Sequence, residues 1–161
     1  MNMPATGPTR GELTFPSEQE LEAFATDFSS GLHLPLVIWL EGDLGAGKTT
    51  FARGLIHALG YSGRVKSPTY GLLEQYLIGS MQVIHMDLYR ISDPGELEFL
   101  AVEDLMDEQT ILLVEWPDRG GEWLPRPDLR FEFLYAQPGR DLHWRACNQM
   151  AADLILKKIC T

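Results

Sequence analysis

One octapeptide constrains this chain more than any other feature: Gly42-Asp43-Leu44-Gly45-Ala46-Gly47-Lys48-Thr49. Its glycines let the backbone turn tightly and approach an anion without Cβ clashes, while amides at the start of the following helix point at that anion. In a loop of this pattern the lysine reaches the β- and γ-phosphates and the next hydroxyl ligates magnesium. The mechanism requires a buried strand before the loop and a helix after it. Leu36-Val37-Ile38-Trp39-Leu40 is a continuous apolar run of strand formers, and Thr49 to Leu59 reads as a helix closed by Gly60. Strand, loop and helix therefore follow in the necessary order. The expectation is a site for a nucleoside triphosphate with Mg2+.

Such a loop also needs an acid that holds the metal, usually at the tip of a buried strand. Two acids qualify. Glu115 ends Ile111-Leu112-Leu113-Val114-Glu115-Trp116, and Asp87 ends Val83-Ile84-His85-Met86-Asp87. For either, the plain alternative is a loop cap or an ion pair, such as Asp87 with Arg90. Ser67-Pro68-Thr69-Tyr70 lies between the loop's helix and the next strands, where a γ-phosphate sensor would be placed, and equally reads as a plain turn. Trp116 is open to two readings, a packing residue at a strand end or a group that responds to nucleotide.

The remaining pattern fits one α/β domain with a mixed central sheet flanked by helices. Glu12 to Phe15 reads as a strand. Ser17-Glu18-Gln19-Glu20 forms a capping box, and Leu21, Phe24, Ala25 and Phe28 recur at helical spacing behind it. Leu72 to Ile78 and Met81 to Met86 are separated only by Gly79-Ser80, which can join antiparallel strands but cannot make a parallel crossover. Asp93-Pro94-Gly95-Glu96 opens a further helical stretch through Leu97, Leu100 and Leu105. Thr110 to Val114 is apolar on both faces, as a central strand should be. Leu129, Phe131, Phe133 and Tyr135 alternate as in a half-buried strand, His143 to Cys147 returns, and Ala151 to Ile159 closes as a helix. Residues 1–10 read as a flexible tail and residues 11–161 as the domain.

Charge and targeting signals narrow the function. The chain has 23 acidic and 13 basic residues, a net charge of -10, which runs against unaided binding to a phosphate backbone. Between Asp87 and Glu122 the acids include Asp93, Glu96, Glu98, Glu103, Asp104, Asp107, Glu108 and Asp118 against Arg90 and Arg119. This is either a solvated surface or a docking face for a basic protein. Neither a signal peptide nor an apolar stretch of roughly 20 residues is present, so no membrane association and a cytoplasmic location are expected. Cys147 and Cys160 lack metal-ligand spacing and read as reduced thiols.

Gly42 to Thr50, Ser67-Pro68-Thr69-Tyr70, His85-Met86-Asp87-Leu88-Tyr89-Arg90 and Glu115-Trp116-Pro117, taken together and in this order, resemble the bacterial TsaE family, also called YjeE. The resemblance implies a P-loop ATPase of the tRNA threonylcarbamoyladenosine pathway, which modifies adenosine 37 of tRNAs that read codons beginning with A. It implies ATP and Mg2+ as cofactors, TsaD and TsaB as protein partners, and contact with tRNA only through that complex. ATP hydrolysis would support repeated turnover of the transferase.

Family roles carried onto this sequence place Lys48 on phosphate, Thr49 and Glu115 at magnesium, and Asp87 near the metal or attacking water. Lys48, Asp87 and Glu115 are thus the candidate catalytic residues. Gly42, Asp43, Leu44, Gly45, Ala46, Gly47 and Thr50 join the nucleotide pocket. Ser17 and Glu18 would border the adenine, and Arg140 would approach the nucleotide. A small-molecule kinase and an ATP-gated, non-enzymatic binding module are the rival functions. Against the kinase stands the lack of an Arg-rich lid, although Arg119, Arg126 and Arg130 could be read that way. A guanine switch is disfavoured because neither Asn2 nor Asn148 begins an Asn-Lys-x-Asp motif.

Overall fold

The computed structural model describes residues 9–68 and 71–159. The sequence-predicted tail from Met1 to Pro8, Thr69 and Tyr70 of the candidate sensor loop, and Cys160 lie outside the described residues. A seven-stranded mixed sheet forms the centre, with β1 Arg10–Phe15, β2 Leu36–Gly42, β3 Leu73–Ile78, β4 Met81–Asp87, β5 Thr110–Glu115, β6 Leu129–Tyr135 and β7 Arg140–Ala146. Its order is β1-β7-β6-β2-β5-β4-β3. The core strands β6, β2, β5 and β4 run parallel, while β3, β7 and β1 add on antiparallel at the flanks. Every residue of β5 is buried, as befits a strand covered on both faces.

Helices cover the two faces unequally. On one face α1 Glu18–Phe28, α2 Lys48–Ala58 and α5 Gln149–Ile159 pack over Leu36, Ile38, Leu40, Ile111, Leu113, Phe131 and Phe133. The Ser17 hydroxyl starts α1 by accepting from the Glu20 amide at 3.3 Å, and all four apolar residues expected on its inner stripe are buried. The Phe131 ring stands 5.3 Å from Phe51, 5.7 Å from Phe28, 6.4 Å from Phe24 and 6.5 Å from Phe133, so one residue joins the sheet to α1 and α2. On the other face Val37, Ile84, Met86, Leu112 and Val114 meet the short helices α3 Glu96–Leu100 and α4 Val102–Leu105.

Several local expectations change. The stretch after Asp93 is two short helices rather than one, because Ala101 adopts the left-handed conformation (φ 46°) between them. Tyr135 is 57% exposed and ends the inward alternation of β6. Arg10 belongs to β1, paired with Arg145, although the sequence places it in the tail. On the face that α3 and α4 leave uncovered, register sets Arg10, Arg145 and Arg130 abreast. No such basic row is visible in sequence, because its members come from three separated strands.

Phe131→Ala should lower stability by about 3–5 kcal/mol, the usual cost of removing a fully buried aromatic, measured by equilibrium urea unfolding. A loss below about 1 kcal/mol, the scale of a mild core swap, would refute the central role given to this ring.

Candidate functional site

The parallel strands end together. Leu40 of β2, Glu115 of β5 and Asp87 of β4 are aligned in register, and the glycine loop leaves β2 immediately beyond, at the carboxyl edge where α/β sheets hold ligands. Gly42 (φ 135°) and Gly47 (φ 123°) show why glycine is needed. A Cβ on Gly42 would run into the Phe133 carbonyl oxygen, and one on Gly47 would stand 3.0 Å from Leu21 Cδ2 in a conformation that side chains rarely adopt. Gly47 caps α2 without a side chain, so the first turn of that helix leaves its amides free for an anion.

Lys48 opens α2 and is 3% exposed. Its Nζ donates to the Gly42 carbonyl and, at 3.1 Å, to that of Asp43, and lies 4.0 Å from the centroid of the Trp116 ring. Burial pushes the Lys48 ammonium below its ordinary range, while Glu115, Asp87, Asp43 and Asp118 act in the opposite direction. A cation desolvated among carboxylates and carbonyls is primed to exchange those partners for an incoming oxyanion.

Next along α2, the Thr49 hydroxyl lies 3.2 Å from both oxygens of Glu115. Glu115 is 2% exposed, and its Oε2 sits 2.6 Å from Nε2 of the fully buried His85. Asp87 does not pair with Arg90. Its Oδ2 accepts from the Ser67 hydroxyl at 3.0 Å and its Oδ1 from the Tyr89 amide at 3.0 Å. Lys48, Thr49, Glu115, Asp87 and Ser67 thus converge, and the link through Ser67 ties the described part of the candidate sensor loop to the strand-tip acid.

Trp116 follows Glu115 in the left-handed conformation (φ 58°), which for a bulky residue costs of order 1–3 kcal/mol. The strained turn lays its indole over Lys48, 5.1 Å from the Tyr89 ring, with the Arg119 guanidinium 5.4 Å away. Trp116 packs against the core beneath α3 and α4 and also touches the loop lysine.

The other candidates flank the loop. The Thr50 hydroxyl donates to Glu18 at 3.1 Å, and Arg53 stands 3.6 Å from the same carboxylate, so Glu18 tethers α1 to α2. Ser17 caps α1 beside it. Arg140 donates to the Gly45 carbonyl at 3.1 Å and stacks 4.9 Å over Tyr135, whose hydroxyl donates to the Leu44 carbonyl. Sequence reasoning missed two of these residues. His85 was quotable only as part of a motif, though its place two residues before Asp87 puts both on one strand face. Tyr135 carries no sequence signal for its contact with the loop.

A hollow of about 550 Å³ adjoins the loop, lined by Leu44, Ser67, Asp87, Tyr89 and Arg90 among others. A separate hollow of about 590 Å³ on the uncovered sheet face includes Arg10, Arg130 and Arg145 and none of the phosphate-loop residues. Among the described residues no three His, Cys, Asp or Glu side chains converge as a self-contained metal site. The donor set at the loop is instead all oxygen, a hydroxyl with one or two carboxylates. That set fits magnesium, which keeps waters and takes its other ligands from substrate phosphates.

Comparison with known proteins gives one answer. Residues 15–142 match the family model described as threonylcarbamoyl adenosine biosynthesis protein TsaE. The tRNA threonylcarbamoyladenosine biosynthesis protein TsaE of Haemophilus influenzae is 40% identical over 120 residues, covering 74% of this chain and 76% of that one. The protein of the same name from Bacillus subtilis is 43% identical over 105 residues, 65% of this chain and 64% of that one. Among solved structures, Bacillus subtilis YdiB superposes with a TM-score of 0.75 at 27% identity, over 92% of this chain and 93% of its own.

Engagement of Lys48 by phosphate should draw the amine off the indole. Adding ATP with Mg2+ is expected to change tryptophan emission, and Trp116→Phe should abolish that change while Trp123→Phe preserves it. A response that survives Trp116→Phe would assign the signal elsewhere.

Proposed function

The chain belongs to the TsaE family, and from that premise we propose that it is a slow, Mg2+-dependent ATPase of tRNA threonylcarbamoyladenosine biosynthesis. In this reading it works in the cytoplasm and supports repeated turnover of a TsaD–TsaB transferase, meeting tRNA only through those partners. One observation carries the proposal: the phosphate loop's Thr49 hydroxyl is hydrogen-bonded to a buried strand-tip carboxylate, Glu115, with Asp87 on the next strand.

In the proposed reaction, water attacks the γ-phosphorus of ATP, the new oxygen–phosphorus bond forms, and the bond to the bridging oxygen of ADP breaks. Lys48 and the first amides of α2 stabilise charge on the phosphate oxygens. Thr49 and Glu115 would hold magnesium, which would supply charge neutralisation on the phosphate oxygens. Asp87 or Glu115 orients the water and takes up its proton, and both stand at the same carboxyl edge. Trp116 and Tyr89 wall the Lys48 side of the site with aromatic surface.

The acidic surface around α3 and α4, on which Phe99 is 89% exposed, supports recruitment through a protein rather than direct binding of a phosphate backbone. An ATP-gated binding module would use the same loop with hydrolysis only as a reset, and the two Lys48 and Glu115 substitutions separate these readings.

Lys48→Ala should weaken ATP binding roughly tenfold to a hundredfold, the worth of a charge-assisted hydrogen bond. Glu115→Ala should retain ATP yet hydrolyse it slower by about a hundredfold or more. The parent should co-purify with TsaD and TsaB in the presence of ATP and raise threonylcarbamoyladenosine yield over many rounds. Multiple-turnover modification sustained by Glu115→Ala would make hydrolysis dispensable. Stoichiometric phosphorylation of a metabolite would replace the proposal with a kinase.

A further inference from the structure

His85 has no part in the reaction above, yet it is the most deeply placed polar side chain near the loop. It lies on β4 beside Leu113 of β5, two residues before the Asp87–Glu115 pair. The strand repeat therefore turns its imidazole to the face that carries both acids. Nε2 stands 2.6 Å from Glu115 Oε2, and both side chains are withdrawn from solvent, at 0% and 3% exposed. An ionised carboxylate only accepts, so the ring must donate through Nε2–H. Nδ1 is then left as a buried atom without a hydrogen-bond partner among the described residues.

A group chosen only to fill space would not look like this. Val83, Ile84 and Met86 around it on β4 are apolar and fully buried, and an imidazole with one unsatisfied nitrogen is a poor substitute for another such residue. What the ring does supply is a fixed bond to one oxygen of Glu115. Lys48 does not supply it, because its ammonium donates to the carbonyls of Gly42 and Asp43. Thr49 does not fix the carboxylate either, since its hydroxyl is equidistant from the two oxygens at 3.2 Å.

We infer that His85 is a positioning residue, which sets the rotation of the Glu115 carboxylate so that it and the Thr49 hydroxyl can together meet a magnesium ion. The inference rests on the magnesium–nucleotide function proposed above. Magnesium demands near-octahedral geometry and tolerates little misorientation of its oxygen partners. Groups that orient metal-binding side chains are typically worth about 10–100-fold in metal affinity.

The test is equilibrium binding of a non-hydrolysable ATP analogue, titrated at graded Mg2+ and again in EDTA, with folding checked by circular dichroism. His85→Leu should raise the Mg2+ concentration required about 10–100-fold and leave the affinity in EDTA unchanged. Should the leucine variant fail to fold, two amides carry the comparison. His85→Gln brings an amide near the place of Nε2 and should restore the parental Mg2+ requirement, whereas His85→Asn brings it near Nδ1 and should not. Equal Mg2+ requirements in the parent and His85→Leu, or in the glutamine and asparagine variants, would overturn the positioning role alone. A parent without any Mg2+-dependent binding would overturn the underlying functional proposal with it.

Discussion

A carboxylate buried at the end of a wholly buried strand is the constraint on which the site depends. Glu115 is 2% exposed, and an unpaired charge in that setting would be prohibitive. Its environment answers with a hydroxyl from α2, an imidazole from β4 and the nearby Lys48 ammonium. They come from two elements other than its own, α2 and β4, so the carboxylate is tolerable only when α2, β4 and β5 are all in place. Two of these groups, the Thr49 hydroxyl and the Lys48 ammonium, are also those that a metal-bound triphosphate would meet in the proposed function. Stability and binding geometry are therefore set by one cluster, and a change there acts on both.

The sheet places that cluster with little freedom. Parallel pairing of β2, β5 and β4 brings Gly42, Glu115 and Asp87 to one edge, and α2 returns across the sheet face with its Phe51 packed on Phe131 of β6. The aromatic contacts matter because α2 must hold Thr49 within hydrogen-bonding reach of Glu115 while its first turn faces outward. Glu18 extends the tie from α2 to α1 through Thr50 and Arg53. Glu18, for which the family resemblance implies a place beside the adenine, is in the structure a link between two helices. On the far side, Arg140 and Tyr135 brace the carbonyls of Gly45 and Leu44, so both shoulders of the loop are held by elements distant in sequence.

What could be read from sequence was whatever local chemistry decides. The glycine loop, the β3–β4 hairpin with its two-residue connection and the inner stripe of α1 each carry their signal within a few residues, and each is in the fold. The break at Ala101 was not legible, because nothing in Phe99-Leu100-Ala101-Val102 marks a left-handed residue and the turn is imposed by packing of Leu97 and Val102 into the second core. The partner of Glu115 was hidden for a related reason. Periodicity shows that His85 and Asp87 share a face, but only the β4–β5 register reveals that this face looks onto Glu115. Likewise Arg10, Arg130 and Arg145 form a row only once three strands are laid side by side.

That row bears on how an acidic chain could serve tRNA chemistry. Three arginines abreast would suggest a phosphate-binding face, but Glu41 takes the Arg130 guanidinium in a two-point bond at 2.6 and 3.1 Å. Glu12 and Glu132 flank His143 in the next row, at 3.6 and 3.7 Å. The face is consequently a patchwork of both signs, whose contribution to counterion release is small against a net charge of -10. Lys48 is buried in the loop. With 23 acidic against 13 basic residues the chain has no excess of positive charge to offer a nucleic acid, whereas the exposed acids Glu96, Glu98, Glu103 and Asp104 lie on the same two short helices as the exposed Phe99. Such a surface suits a basic protein far better than a polyanion, which is the physical ground on which the proposed function rests contact with tRNA on protein partners.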